Sequence, residues 1–210
     1  DLHIVGEAFT RVRISLMAMP GAELSDIKKV RAHTVLLPQA AAFLNKHNIH
    51  PESAVDSAGA AAELVESRDM TSGVLASEFA AQIYGLNVLA KNIEDHGHNT
   101  TRFLVMSRDC DLSERGDTGM LTSFIFRVRN LPAALYKAMG GFATNGVNMT
   151  KLESYMVDGH FTATQFYADI EGHPEDENVK RALDELSYFT SEITILGTYP
   201  RAPERAGTTD

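Results

Sequence analysis

The sequence predicts an α/β protein in two parts. Over the first hundred residues, strand-like and helix-like segments alternate, which is typical of α/β folds. A polar, hydrophobically poor stretch follows, "RDCDLSERGDT" at 108–118. Beyond it the predicted elements follow the order β-α-β-β-α-β. The two patterns and the stretch between them predict two domains joined by a linker.

The first part opens with a strand pattern at 2–19, where β-branched and apolar residues partly alternate. A turn at Pro20–Gly21 follows, and apolar spacing from Leu36 to Leu44 predicts a helix. A short strand at the start of "SAVD" leads to an alanine-rich helix capped by Ser57 or Asp56. The strands "SGVLAS", "LNVLAKNI" and "TRFLVMS" and the helix "EFAAQIYG" complete this part.

Three predicted strand-to-helix junctions, near Ala32, Ser57 and Ser77, indicate where a ligand would bind. Ligands of open α/β sheets bind beyond the carboxyl ends of the strands, where helix N-termini meet them. We therefore expect these three junctions to face one cleft.

The second part has a strand at "GMLTSFIFRVR" and then a helix, with Pro132 near its first turn and Gly146 at its end. Two strands follow around a turn at Asp158–Gly159, and then an amphipathic helix and a last strand. This βαββαβ order is that of a ferredoxin-like domain. The tail, 201–210, is predicted to be flexible.

Composition limits the class of protein. The chain has 210 residues, 44% of them hydrophobic, and a formal net charge of −9, which argues against a broad nucleic-acid surface. No apolar run approaches the roughly 20 residues of a membrane span, and no secretory signal is visible. The single cysteine, Cys110, fits a reducing compartment. We expect a cytoplasmic protein without nucleic-acid or membrane partners.

The string "HNTTRF" at 98–103 presents hydroxyls, an amide and a guanidinium together. Arg102 can bind a carboxylate through two parallel hydrogen bonds, while Thr101 offers a hydroxyl and Asn99 an amide. These groups suit a pocket for a small oxyanion. The alternative is the capped start of a strand, with Arg102 in a surface salt bridge, and the spacing alone leaves both open.

Other polar residues are weaker candidates. Asp95, His96 and His98 are metal-ligating types without a recognised spacing, so a solvated loop is favoured over a metal site. His33 follows a predicted strand and either reaches the cleft or has a structural role. The sequence shows no Ser-His-Asp order and no Gly-rich phosphate loop.

Several strings together resemble one family, prephenate dehydratase. The pattern N-x-T-R-F at Asn99–Phe103 resembles its signature, and the upstream strings "LHIVGE", "LSDIKKVRAH", "DSAGAAAEL" and "LASEFAAQIYGLNVLA" are similar to its catalytic domain. Downstream, "TSFIFRVRNLPAALYKAM", "GVNMTKLES", "FYADIEGH" and "ILGTYP" resemble its regulatory ACT domain. The resemblance places a catalytic portion at 1–107, a linker at 108–118 and an ACT domain at 119–200.

The resemblance implies a lyase that converts prephenate to phenylpyruvate with loss of water and carbon dioxide, without a metal or organic cofactor. It implies a catalytic domain like a periplasmic binding protein, with two lobes around a cleft, and an ACT domain that dimerises and binds L-phenylalanine. Thr101 and Arg102 would be catalytic. The substrate-binding residues would be Asn99, Thr100, Phe103, Ser57, Ser77 and His33.

The sequence departs from the family pattern in its catalytic part. The family's Gly-rich first segment and its P-x-E-N-S segment are absent, so the first lobe is incomplete and we expect this polypeptide alone to be inactive. The family's S-H-P-Q is represented by Ala32-His33-Thr34-Val35, which retains only the histidine.

The ACT part also departs from the pattern. The effector-binding positions would be Ala133, Ala134, Leu135, Asn148, Leu152, Glu153 and Ser154. However, Ala133 replaces a glycine, and Tyr155-Met156 replaces Arg-Pro. We expect weak phenylalanine binding or a different effector. A second hypothesis is therefore a non-catalytic sensor of aromatic amino acids, with a degenerate α/β domain. Either protein would be at least a dimer.

Overall fold

The computed structural model describes residues 2–97, 99–109, 119–129, 131–157 and 163–207. The chain divides into two compact units. One contains residues 10–101, and the other contains residues 1–9 together with 102–210. The sequence predicted a boundary at 108–118, whereas this division falls within two paired strands, β1 (His3–Arg11) and β7 (Thr100–Ser107).

The unit of residues 10–101 is built on a five-stranded mixed sheet. Its strands are β2 (Ser15–Ala18), β3 (Lys29–His33), β4 (His50–Ala54), β5 (Ser72–Ala76) and β6 (Asn87–Ala90), in the order β4-β3-β5-β2-β6. Strands β4, β3 and β5 are parallel, and β2 is antiparallel to both β5 and β6. The carboxyl ends of β3, β4 and β5 therefore lie at one edge of the sheet, which we call the carboxyl edge.

Three helices accompany this sheet: α1 (Ala41–Lys46), α2 (Ser57–Ser67) and α3 (Glu78–Tyr84). Every residue of β2 and β5 is buried, as expected for strands covered on both faces. One apolar cluster joins Leu16 and Leu75 to Leu44 of α1, and another joins Met17 and Val74 to α2 and α3.

Local chemistry sets the ends of these helices. Asp56, not Ser57, caps α2, and its Oδ1 accepts a hydrogen bond of 2.6 Å from the Gly59 N–H. Gly85 ends α3 in the left-handed region at φ 66°, as predicted. Strand β4 begins at His50, earlier than expected, because β4 is an edge strand and tolerates Pro51.

The second unit contains a four-stranded antiparallel sheet. Its elements are β8 (Met120–Val128), α4 (Ala134–Thr144), β9 (Met149–Met156), β10 (Ala163–Glu171), α5 (Glu177–Phe189) and β11 (Thr190–Pro200). The strand order is β11-β8-β10-β9. Alternate residues of β8, including Phe124 and Phe126, pack with both helices in the main core. The other face carries Leu121 and Tyr199, which pack with Ile4 of β1.

The predictions for the second unit have different outcomes. Pro132 lies near the first turn of α4, as predicted, directly before the N-cap Ala133. Residues 203–207 of the predicted flexible tail form a 3-10 helix. The predicted turn at Asp158–Gly159 and most of the linker, including Cys110, lie outside the described residues.

No helix in the described ranges is both long enough and apolar enough to cross a bilayer.

Candidate functional site

The structure brings His33, Ser57 and Ser77 to the carboxyl edge, as the sequence predicted from strand-to-helix junctions. His33 is the last residue of β3, and its backbone N–H donates to the Ser57 Oγ at 3.1 Å. Ser77 directly follows β5 and precedes α3, and its side chain makes no capping hydrogen bond. The His33 ring is occupied locally, since its Nδ1 accepts from the Val35 N–H at 3.3 Å.

The loop after β6 also lies at the carboxyl edge. Strand β2 runs antiparallel to β5, so Ile14, just before β2, lies at the same edge. The Ile14 N–H donates to the Glu94 Oε2 at 3.0 Å, and the Ile93 N–H donates to the Ile14 carbonyl at 2.9 Å. Asp95 accepts a bond of 3.1 Å from the Ala42 N–H at the start of α1. These bonds fix the loop on the protein.

A cavity of about 360 Å³ lies beside this loop and is lined by Gln39, Glu94, His96 and Asn99. The Asn99 Nδ2 donates to the Gln39 Oε1 at 2.5 Å, which links the loop to the segment before α1. A cavity of this size accepts a small molecule. Of its lining residues, the sequence predicted Asn99 as a ligand-binding residue.

Thr101 points to the same side as Asn99. The Asn99 carbonyl accepts a hydrogen bond of 2.8 Å from the Val12 N–H, which continues the pairing of β1 with β7 by one residue. Side chains two residues apart on an extended chain share a face. Thr100 and Thr101 are both exposed, and they point to opposite faces of β7.

Arg102 is not placed as the sequence predicted. It points away from Thr101, because neighbouring residues of a strand face opposite sides. Its guanidinium donates to Glu7 at 2.7 Å, to Asp169 at 2.5 Å and to the Tyr199 hydroxyl at 2.7 Å. The sequence left open an oxyanion pocket or a salt bridge of Arg102, and the structure shows Arg102 in ion pairs with two buried carboxylates. Phe103, a predicted substrate-binding residue, is 55% exposed.

The Arg102 cluster is a buried polar network, made of Arg102, Glu7, Asp169, Tyr199, Ser123 and Arg205. The Glu7 and Asp169 side chains are fully buried, and Arg102 is 15% exposed. Glu7 also accepts from both Nε and Nη2 of Arg205, at 2.7 and 2.9 Å. Ser123 donates to Asp169. Two carboxylates thus face two guanidiniums, which compensates for their burial.

The cluster shifts the pKa values of its members. Burial by itself would raise the pKa of Glu7, but hydrogen bonds from Arg205 and the Ala202 N–H, with the charge of Arg102, hold it below its usual value. Burial would lower the pKa of Arg102, but its bond to Asp169 and nearby charges raise it. Burial raises the pKa of Tyr199. Glu7 is therefore ionised at neutral pH, opposite the charged guanidinium of Arg102.

The predicted effector residues lie at the start of α4 and on or just before β9. Ala133 has φ 60°, a left-handed conformation that favours glycine, and Ala134 and Leu135 pack in or against the main core. Asn148, Leu152, Glu153 and Ser154 are exposed. The Tyr155 hydroxyl donates to the Glu153 carboxylate at 2.9 Å, which lowers the pKa of Glu153.

No group of three metal-ligating side chains occurs within the described residues. Sequence reasoning missed Gln39 as a lining residue and missed Glu7 and Asp169 as partners of Arg102. A position just after a carboxyl-edge strand was the available signal for Gln39. The partners of Arg102 left no local signal, because Glu7 and Asp169 are 95 and 67 positions away along the chain.

A mixed sheet with a small cavity at its carboxyl edge is typical of α/β proteins that bind a small molecule there. The comparison with known families makes this more specific. Residues 1–111 match the model of the prephenate dehydratase family, and the chain belongs to this family.

Similar proteins agree with that assignment. The chain is 46% identical to a bifunctional N-acyl-homoserine lactone acylase/prephenate dehydratase from Komagataeibacter europaeus, over 97% of this chain and 73% of that protein. It is 37% identical to a bifunctional chorismate mutase/prephenate dehydratase from Aquifex aeolicus, over 96% of this chain. It is 38% identical to an arogenate dehydratase/prephenate dehydratase from Arabidopsis thaliana, over 95%. The chain spans only 55% and 54% of the last two proteins.

A solved structure of prephenate dehydratase from Arthrobacter aurescens, in complex with L-Phe, has the same fold. Its TM-score is 0.85 at 32% identity, over 96% of this chain and 66% of that one. The prephenate dehydratase of Staphylococcus aureus has a TM-score of 0.80 at 19% identity, over 94% of this chain and 72% of that one, which shows the fold alone.

Proposed function

We propose that this chain is the prephenate dehydratase portion of an enzyme that makes phenylpyruvate for phenylalanine biosynthesis. The observation that carries the proposal is the cavity beside Asn99 at the carboxyl edge, in a chain of this family. The alternation of side chains along an extended chain, which puts Thr101 on the side of Asn99, supports a single site made of the signature segment and the cavity.

The proposed reaction is a decarboxylative elimination. The bond between the ring and its carboxylate breaks, and its electron pair enters the ring as carbon dioxide leaves. The bond between the ring and its hydroxyl oxygen breaks with that oxygen taking its electron pair. One proton completes the departing water, and the ring becomes aromatic. The protein must orient the dianion, supply that proton and stabilise developing charge.

Different residues are proposed for these tasks. The Thr101 hydroxyl orients the departing oxygen, but an ordinary threonine is a poor acid, so another donor must supply the proton. His96 lines the cavity, and an imidazolium can donate it. Asn99, held by Gln39, bonds a substrate oxygen. Phe103, Ser57, Ser77 and His33 remain proposed binding residues from the resemblance, whereas Thr100 faces the other side of β7 and is not part of the proposed site.

Arg102 takes a positioning role in this proposal. Each of its three nitrogens donates a hydrogen bond within the Arg102 cluster, and these bonds tie β7, the strand of Thr101, to Glu7 and Asp169. A guanidinium with these partners holds a strand in place rather than binding a carboxylate of the substrate.

The second unit is proposed to be an ACT regulatory domain of ferredoxin-like arrangement, over residues 119–200. The order βαββαβ and the strand order β11-β8-β10-β9 support this. Residues 1–107 would then form part of a two-lobed catalytic domain, followed by the linker. We propose a cytoplasmic homodimer or larger oligomer, with L-phenylalanine as a possible effector; a relative was solved with L-Phe bound.

A second candidate function is hydrolysis of an N-acyl-homoserine lactone, because the relative at 46% identity carries that activity in its name. Nucleophilic acyl transfer needs a hydroxyl or thiol bonded to a general base. At the carboxyl edge, Ser57 accepts from the backbone of His33, and the His33 ring accepts from Val35. This contact does not pair nucleophile and base, so dehydration is the better-supported function.

One assay separates these functions. Purified chain is incubated with prephenate, and phenylpyruvate is measured; a parallel reaction measures fatty-acid release from an acyl-homoserine lactone. A longer chain from the same gene is assayed beside it, because the 210 residues span only about half the length of some relatives. Phenylpyruvate formation by the longer chain supports the proposal. No turnover by either chain, with binding of aromatic amino acids in a thermal-shift screen, favours the non-catalytic sensor.

A further inference from the structure

We propose that a second cavity, between α2 and the sheet, binds a small apolar α-amino acid as its zwitterion. This cavity has a volume of about 260 Å³ and shares no lining residue with the cavity beside Asn99. The inference goes beyond the proposed dehydratase function and does not depend on it.

The second cavity is formed by one face of α2 and the sheet face that α2 covers. The α2 residues that line it recur at positions i, i+3, i+4 and i+7 of one helix face: Ala60, Glu63, Leu64 and Ser67. The sheet contributes two neighbouring pairs of the β3–β5 ladder, Lys29 with Ser72 and Arg31 with Val74. Ser67 ends α2, and Lys29 and Ser72 begin their strands, so the cavity lies at the edge opposite the candidate site.

The inner wall of the second cavity is apolar and well packed. Ala60, Leu64 and Val74 are 2%, 5% and 1% exposed, and they belong to one core cluster. Core packing fixes their positions, so this wall exists before a ligand arrives. An apolar side chain placed against it leaves water, which is favourable by about 25 cal/mol per Å².

Four charged side chains also line the second cavity, two of each sign: Lys29, Arg31, Glu63 and Asp69. A ligand with only negative charge would be repelled by Glu63 and Asp69, and one with only positive charge by Lys29 and Arg31. A zwitterion can place each of its charges opposite a side chain of the other sign. The lining therefore favours a molecule that carries both charges and an apolar group.

Arg31 has donors available for the carboxylate of such a ligand. Within the described part of the chain, its side chain donates only from Nη1, to Glu63. The two side chains are 34% and 58% exposed, and an exposed pair of this kind contributes about 0–1 kcal/mol. Nε and Nη2 remain, and together they can bind a carboxylate bidentately.

Asp69 offers the ammonium group an ionised carboxylate. Hydrogen bonds from the Ser72 hydroxyl at 2.6 Å and from the Thr71 N–H and hydroxyl, each at 2.8 Å, lower the pKa of Asp69 to about 2. Among the described residues its Oδ2 accepts only from Ser72, and a carboxylate oxygen has a second acceptor position. Ser67 marks the C-terminus of α2, where the helix dipole favours a positive charge.

The first part of the test measures the charge requirement. Binding of L-leucine and L-methionine to the 210-residue chain is measured by calorimetry, and we expect a Kd on the order of 1 mM for at least one of them. Two analogues of that amino acid are compared with it: its 2-oxo acid, which lacks the ammonium, and its decarboxylated amine. Each should bind at least about tenfold more weakly, because each loses one charge-assisted contact.

The second part locates the binding with two pairs of variants. Ser67→Tyr places a large side chain at an exposed position of the cavity wall, whereas Glu66→Tyr places it one residue away, outside the lining. Arg31→Gln removes the proposed carboxylate partner, and Lys91→Gln removes the cation of another exposed ion pair, with Glu78. We expect Ser67→Tyr and Arg31→Gln to raise Kd at least about tenfold and both controls to leave it unchanged.

Three results would overturn the inference: neither amino acid binds, an analogue binds as tightly as its amino acid, or Ser67→Tyr binds as tightly as Glu66→Tyr. The last result would place any binding elsewhere on the chain. Because none of these measurements uses prephenate, they leave the test of the proposed dehydratase function separate.

Discussion

At the scale of single residues, neighbouring side chains of similar type have different positions and hydrogen bonds in the structure. Thr100 and Thr101 are neighbours of the same type, yet they face opposite sides of β7, and Thr101 shares the side of Asn99. Asp56 and Ser57 were alternative caps for α2. The Asp56 carboxylate caps α2 by accepting from the Gly59 N–H, and the Ser57 hydroxyl accepts a hydrogen bond from the His33 N–H. Each role depends on where a backbone N–H points.

Ala133 gives a residue-level prediction about stability. Its φ of 60° costs an L-residue about 1–2 kcal/mol, whereas glycine adopts it freely. After allowing for the greater chain entropy of glycine when unfolded, we expect Ala133→Gly to raise the free energy of unfolding by roughly 0.5–1 kcal/mol. The measurement is urea denaturation. Ala134→Gly, one residue into the helix, is the control and should lower stability by about 1 kcal/mol.

At the scale of elements, the sequence predicted the α/β part well where the signal is local. The buried strand "SGVLAS" and the helix ended by Gly85 appear as β5 and α3, because apolar runs and a left-handed glycine act within a few residues. The sequence predicted this strand only from "SAVD", whereas β4 begins at His50 and includes Pro51, which an edge strand tolerates. The Arg102 cluster was missed because tertiary folding alone brings its members together.

The Arg102 cluster predicts how stability depends on pH. The pKa of Glu7 in the folded protein lies below 4.5, its unperturbed value. A depressed carboxylate pKa contributes stability above the unfolded value, and this contribution disappears as the pH falls through the folded value. The free energy of unfolding should therefore fall below about pH 4.5, and it should fall less steeply in Glu7→Gln.

The same variant should be less stable at pH 7, by roughly 3–5 kcal/mol, because Arg102 and Arg205 lose a buried charged partner. Denaturant unfolding from pH 3 to 7 measures both effects. Glu66→Gln, at an exposed position, is the control and should follow the unchanged chain. An equal slope below pH 4.5 in Glu7→Gln and the unchanged chain would contradict the role given to Glu7.

At the scale of the whole molecule, the chain contains an α/β unit with the candidate site and a second unit with the arrangement proposed for an ACT domain. The sequence predicted both element orders, whereas the division of the chain into units could not be read from composition. The polar stretch at 108–118 marked a linker, but the compact units divide within β1 and β7. Pairing between strands about a hundred residues apart determines that division, and such pairing leaves no local trace.

Regulation provides the prediction at this scale. The carboxylate of Glu153, a proposed effector-binding residue, already accepts a hydrogen bond from the Tyr155 hydroxyl. In addition, Ala133 carries a methyl group where the resemblance predicts glycine. We expect L-phenylalanine to bind with a Kd weaker than about 1 mM, or about 4.1 kcal/mol. Calorimetry with the unchanged chain measures this. Ala133→Gly combined with Tyr155→Arg should bind more tightly, and micromolar binding by the unchanged chain would refute the expectation.

The most direct test of the central claim compares Thr101→Val with Thr100→Val. The rate of phenylpyruvate formation from prephenate is measured in whichever chain turns it over, the 210 residues alone or the longer chain from the same gene. Both substitutions remove a hydroxyl from an exposed position of β7 and change the volume little. If Thr101 orients the departing oxygen, Thr101→Val should lower kcat by roughly 100-fold or more, and Thr100→Val should lower it by less than about twofold. Equal rates for the two variants would contradict the account.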